Sequence, residues 1–285
     1  MKNQLKNSTA VTKAVVAVVN NAILVKSGKS YKVANEKQTK VITEKGYYYI
    51  PANLLGKSTK IEKSDNSKNG YLTKILYLSP SKISGYNTCS MATVGCASAC
   101  LNMNGHGRFD SNQIARINKT KYFMLNREKF MKQLVKELTI FVAECTFEDK
   151  LPAVRINGTS DINLILFKYK GKTVLELFPQ IKFYDYTKVL NRFDKEIPSN
   201  YFLTASRDET NEKQCLELLS KGFNSAFVFK LKKDQSLPKT YKGFKVINGE
   251  ETDLRFLDDN GVIVGLRAKG KAQTDETGFT IDLRP

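Results

Sequence analysis

The residues of this chain best suited to chemistry are three thiols. Cys89, Cys96 and Cys100 lie in the stretch NTCSMATVGCASAC, residues 87–100, and the 285-residue chain has only two other cysteines, Cys145 and Cys215. A C-x6-C-x3-C run among Gly, Ala, Ser and Thr offers soft ligands on a loop that can wrap closely around a bound group. Three readings compete. Cysteine often packs as a small hydrophobe, although this loop of small residues is a poor core strand. Zinc wants four tetrahedral ligands, commonly from CxxC pairs; no such pair exists here, and the single histidine, His106, would have to complete a Cys3His set. The leading expectation is an iron-sulfur cluster with Cys89, Cys96 and Cys100 as metal ligands. Three thiolates on a 4Fe-4S cluster leave one iron open to a small-molecule cosubstrate or a fourth ligand.

A second group of polar residues recurs where apolar runs end. LPAVRINGTSD (151–161) carries Arg155, Ser160 and Asp161, KFYDYTK (182–188) carries Asp185, Tyr186 and Lys188, and NYFLTASRD (200–208) carries Ser206, Arg207 and Asp208. Arg155, Ser160, Asp161, Lys188 and Arg207 are the candidate cofactor-binding set, since an inward Lys or Arg can grip a carboxylate or phosphate. An Asx-type turn built from Asn157, Gly158 and Asp161 accounts for part of the same pattern, and ion pairs between strand ends account for more. Arg108 and Arg116 follow the cysteine loop and are placed to balance an anionic cluster; Lys119 reads as a solvated helix residue. Cys145 and Cys215 sit in apolar helical contexts and read as core thiols. With a single histidine no Ser-His-Asp or Cys-His unit is expected, and neither a P-loop nor a GxGxxG is present.

The elements that must hold these residues follow from periodicity. Strand candidates at 72–81, 151–161, 182–188, 200–208, 225–232, 244–256 and 261–270 alternate with helical tracts. The longest, from about Ser111 to Glu144, repeats Ile114, Ile117, Phe123, Phe130, Leu134, Leu138 and Phe141. That alternation predicts parallel βαβ units, and polar residues at strand carboxyl ends fit a partial or complete (β/α) TIM-like barrel over 71–285. An open doubly wound sheet is the alternative. Residues 1–60 read as a small basic β-rich region, with AVVAVVNNAILV as a hairpin turning at Asn-Asn, and 56–70 as the linker. No apolar run is long enough to span a membrane.

Composition bounds the partners. The hydrophobic fraction of 41% and charged fraction of 26% are those of a folded soluble domain. The net charge of +18 attracts polyanions, and residues 1–60 hold eleven Lys against two Glu, so non-specific nucleic-acid contact through this Lys-rich region is a candidate interaction. Five cysteines, an odd number with three clustered, argue for a reducing compartment such as the cytoplasm.

The blocks CSMATVGCASACLNMNGHGRF, ARINKTKYF, VRINGTSDI, FYDYTKV, YFLTASRDE and VIVGLRAKG, spanning about residues 86–270, resemble the phage gene product 88 family. The resemblance implies a viral protein acting in the host cytoplasm, with the three cysteines as a unit and no requirement for His106. The placement of the cysteine loop, after a first strand and before a long helix, also resembles that of radical S-adenosylmethionine enzymes. Their CxxxCxxC spacing is absent, so the likeness lies in placement and ligand number. It implies S-adenosylmethionine as a possible cosubstrate, held by the Gly-containing turn after the next strand.

Overall fold

Runs such as KFYDYT and NSAFVF are apolar on both sides, which suits strands covered on both faces. In the computed structural model, which describes residues 15–19, 22–27, 30–33, 40–57, 69–103, 105–232 and 234–284, they form the middle of a large sheet. The strands before the cysteine loop are β1 (Val15–Val19), β2 (Ala22–Ser27), β3 (Ser30–Val33), β4 (Lys40–Thr43), β5 (Gly46–Tyr49), β6 (Leu55–Gly56) and β7 (Tyr71–Leu76). After it come β8 (Leu151–Arg155), β9 (Lys168–Tyr169), β10 (Lys172–Thr173), β11 (Lys182–Thr187), β12 (Tyr201–Ser206), β13 (Asn224–Phe229), β14 (Thr240–Tyr241), β15 (Phe244–Asn248) and β16 (Ile263–Arg267). The α-helices are α1 (Val94–Ser98), α2 (Asp110–Leu125), α3 (Arg127–Phe147), α4 (Val174–Leu177) and α5 (Glu212–Ser220).

Nine strands pair in the order β14-β15-β16-β13-β12-β11-β8-β7-β6, with β9/β10 a separate hairpin. The seven inner strands are parallel, and the two edge strands β6 and β14 are antiparallel to their neighbours. From β7 to β13 each new strand is laid beside the last, and right-handed crossovers repeated in one direction put their connections on one face. That face holds the main core, where Leu72, Val154 and Phe183 meet Phe123, Phe130, Leu134, Leu138 and Phe141 of α2 and α3. The opposite face carries Ala153, Tyr184 and Phe202, covered by Leu254 and Phe256 from the β15–β16 connection. The protein is therefore a mixed α/β fold on a nine-stranded sheet. The closed form of the expected barrel is not found, because β6 and β14 remain unpaired edges on their outer sides among the described residues.

Two boundaries differ from those the sequence suggests. The helical tract expected to run to Glu144 is two helices: Asn126, at φ −148° and ψ 72°, leaves helical geometry, and its side chain caps α3 by accepting the Lys129 N–H at 3.1 Å. The basic amino-terminal region is also less separate than a division at residue 60 implies. β1, β2 and β3 form an antiparallel meander, with Val19 opposite Ala22; the expected Asn-Asn turn itself lies outside the described residues. The β4/β5 hairpin, however, joins the main core, where Tyr48 is buried and stacks on Tyr122 with ring centroids 4.9 Å apart. β6 then pairs directly with β7. The expected linker falls mostly on 58–68, outside the described residues. Among the described residues no helix is long and apolar enough to cross a membrane.

One carboxylate strengthens the tie between the two parts. Glu137 of α3 accepts the N–H groups of Leu54 and Leu55 at 2.8–2.9 Å, while Lys119 of α2 donates to the Leu54 carbonyl at 2.6 Å. Lys119 is thus a half-buried tether and not the solvated residue expected, and its burial pushes its ammonium down to about 8. Glu137→Ala leaves two backbone donors without their acceptor and is expected to lower unfolding stability by about 1–3 kcal/mol. Urea denaturation measures the loss, and hydrogen exchange should show the Leu54 and Leu55 amides opening first.

Candidate metal-loop site

The loop after β7 reaches the cysteines under close control. Thr88, buried, donates its hydroxyl to the Ser79 carbonyl at 2.6 Å, and its own carbonyl accepts the Asp161 N–H at 2.8 Å. The next residue, Cys89, has its sulfur 3.3 Å from the Ser81 N–H, which donates to it. The thiol points to the Thr159 carbonyl at 3.9 Å. Thr93 starts the short helix α1 by accepting the Cys96 N–H at 3.2 Å. Glu209, just beyond β12, accepts from the Thr93 hydroxyl at 2.9 Å and from the Gly95 N–H at 2.8 Å. Gly95 must be glycine, since a Cβ there would lie 2.7 Å from Phe279 Cβ and 2.8 Å from the Glu209 carboxylate. Beyond Cys100, fully buried Asn102 is clamped by Gln113, which exchanges two bonds of 2.8 Å with it, and by Arg116.

The three thiols are half-buried and near one another: Cys100 pushes Cys89 and Cys96 up, and Cys89 pushes Cys96 up. Burial is the largest effect on each and pushes all three up, Cys96 to about 11. The opposing influences are specific. Lys188 pulls Cys96 and Cys100 down, Arg116 pulls Cys100 down, and backbone N–H groups of Ser81 and Asn102 do the same for Cys89 and Cys100. His106 is exposed and tilts against Phe109 at 5.5 Å. Among the described residues no three His, Cys, Asp or Glu side chains gather as a single metal ion would need.

The five candidate cofactor-binding residues separate into two groups. Lys188 and Asp161 act on the thiols: Lys188 favours the thiolates of Cys96 and Cys100, with its ammonium held 2.7 Å from the Ser206 hydroxyl and 5.4 Å over the Phe279 ring, and the Asp161 carboxylate opposes that of Cys89. The others are committed elsewhere. Arg155 pairs with Asp253 at 3.2 Å on the opposite sheet face, 4.6 Å over Tyr186. Arg207 binds Glu212 at 2.7 Å and the carbonyls of Gly278 and Phe279, so it anchors the carboxyl-terminal segment. Ser160 donates to the Asn157 side chain at 2.9 Å. Asp161 pairs with Arg192 at 2.9 Å and accepts the Lys188 N–H at 2.8 Å. Glu209, Asn102 and the 277–281 segment were not singled out from sequence; an isolated Glu or Asn carries no local signal, since its partner is chosen by the fold.

Asn157 organises the turn after β8. Its N–H and its amide nitrogen donate to the two oxygens of Asp185, at 2.8 and 2.9 Å, while its side-chain oxygen accepts from Ser160 and Ile162 at 2.9 Å. Asp185 is fully buried and also accepts the Tyr201 hydroxyl at 3.2 Å. Burial pushes its carboxyl up to about 6 despite these donors. A folded-state value above the ordinary 3.8 means the native protein holds this proton more tightly than the unfolded chain. Its contribution is complete below pH ~4 and is lost as pH rises through ~6. Denaturation of the native protein and Asp185→Asn between pH 4 and pH 7 should show the native protein losing ground to the variant as pH rises.

The family profile described as Gene product 88 matches residues 52–283, from β6 through the segment that packs on α1. No curated protein and no solved structure matches the chain, so the expected radical S-adenosylmethionine architecture finds no support there. With the match covering well over half of its length, the chain belongs to the Gene product 88 family of phage proteins.

Proposed function

We propose that Cys89, Cys96 and Cys100 ligate a 4Fe-4S cluster with one iron open to a small molecule, and that the protein is a cluster-dependent phage enzyme of the host cytoplasm. The observation that carries this reading is the convergence of three thiols at the carboxyl ends of parallel strands, where Lys188 and Arg116 are the cations acting on them. The donor set fits the group. N–H donation to Cys89 and Cys100 sulfur is the kind of contact that tunes thiolate-bound iron. Thiols pushed up by burial are held as thiolates most readily by a strongly cationic centre. A single zinc ion is a poorer fit, because it would draw its ligands around one point with Zn–S bonds of about 2.3 Å, whereas cluster thiolates sit on different irons.

An open iron supplies Lewis-acid or redox chemistry to whatever binds it. The chain's own part is to hold the loop through Thr88, Glu209 and Gly95, to place the Lys188 ammonium beside Cys96, and to keep the thiols partly out of water. S-adenosylmethionine is the small molecule to test first, with the turn at Asn157–Asp161 as the wall nearest Cys89. The architecture around it is a partial barrel in this reading, opened between β6 and β14. The net charge of +18 favours a second reading, in which the metal only staples the loop and the Lys-rich amino-terminal region contacts nucleic acid.

Anaerobic purification decides between metals. Brown protein with broad visible absorption and about four iron per chain is expected, falling to near zero in Cys96→Ala. Colourless protein carrying stoichiometric zinc would overturn the reading. Steeply salt-dependent DNA binding without S-adenosylmethionine binding would favour the stapled-loop alternative.

A further inference from the structure

A cavity of about 320 Å³ lies beside the cysteine loop, on the helix-covered side of the sheet. Thr88 and Asp161, joined by their backbone hydrogen bond, belong to its wall, so an occupant would bear on the residue next to Cys89. The interior is aliphatic: Ile162, Leu175, Ile197 and Leu203 line it, with Ile165 and Leu166 half-exposed at the mouth. Its one ring is Tyr201, whose hydroxyl is already given to Asp185. A pocket with a single aromatic side chain on its wall suits an alkyl chain better than a flat base, which binds by stacking.

The rim is rich in donors. Asn87 and Asn163 use their side-chain oxygens on the N–H groups of Cys89 and Ile165, at 3.0 and 3.2 Å, which leaves their amide N–H groups for a ligand. Arg192 is only 8% exposed and its Nε has no hydrogen-bond partner, while Nη1 pairs with the Asp161 carboxylate and Nη2 donates to the Asp161 backbone carbonyl, each at 2.9 Å. Lys195 at the mouth forms no ion pair among the described residues; Glu196 beside it is the opposing charge. A buried guanidinium nitrogen without an acceptor is an unfavourable state that an incoming anion relieves.

We propose that this cavity binds an aliphatic monocarboxylate of medium chain length, with the alkyl chain inside and the carboxylate at Arg192 and Lys195. The site goes beyond the cluster reading and does not depend on it. Calorimetric titration of the full chain with octanoate, octanol, octylammonium and benzoate at pH 7 tests it, on metal-free and iron-loaded protein alike. One octanoate per chain is expected in both preparations, bound about tenfold or more tightly than the other three. Lys195→Glu should weaken octanoate by about tenfold, Glu196→Gln should tighten it, and Leu166→Trp, at the half-exposed mouth, should block it while circular dichroism stays unchanged. Octylammonium or benzoate binding as well as octanoate, octanoate binding undiminished in Leu166→Trp, or no octanoate binding at all would overturn the proposal. Octanoate binding confined to iron-loaded protein would place it at the thiols and overturn it too.

Discussion

The clasp between Asn157 and Asp185 is the interaction on which the cysteine loop depends. A buried carboxylate is unfavourable unless donors surround it, and Asp185 finds three: the Asn157 N–H, the Asn157 amide and the Tyr201 hydroxyl. In return it fixes the turn after β8. That turn then sets two contacts with the loop, Asp161 N–H to Thr88 and Cys89 thiol to the Thr159 carbonyl. Gly158 allows this closeness, because a Cβ there would lie 2.5 Å from the Tyr77 ring. The chain of dependence runs from one buried acid, through one turn, to the position of one thiol.

A second brace comes from far along the sequence. Glu209 beyond β12 and Phe279 near the carboxyl end both press on α1 at Gly95, and Arg207 ties the Phe279 segment back to β12. Cys96 is thereby placed near Lys188, at the end of β11, although ninety-two positions separate them. The loop is thus a shared product of three strand ends and the terminal segment. Such a loop suits a bound group that must be met from several sides.

Much of this was legible in the sequence, and what was not has a physical cause. Strand periodicity locates every inner strand of the sheet, since each is apolar with turn residues at its ends; KFYDYT agrees to within one residue, whereas the strand expected at 225–232 ends three residues earlier, at Phe229. The cysteine loop was legible because three thiols among small residues are a local signal. Closure of the sheet was not legible: a run of parallel strands looks alike in a barrel and in an open sheet, and only pairing of the edges distinguishes them. Arg155 misled for a related reason. A strand-end arginine declares a need for a partner but not its identity, and the fold supplied Asp253 from a distant connection. Lys119 looked solvated because its helix is polar, whereas the β4–β6 segment that buries it could not be docked from sequence.

The account turns on whether three thiols leave one iron of a cluster distinct from the rest. Mössbauer spectroscopy of the anaerobic protein loaded with iron-57 tests this most directly. A spectrum in which one iron of the cluster differs from the other three, and changes when S-adenosylmethionine or another small ligand is added, is the result predicted. Four irons with complete thiolate coordination and no response to any small ligand, or no cluster spectrum at all, would contradict it.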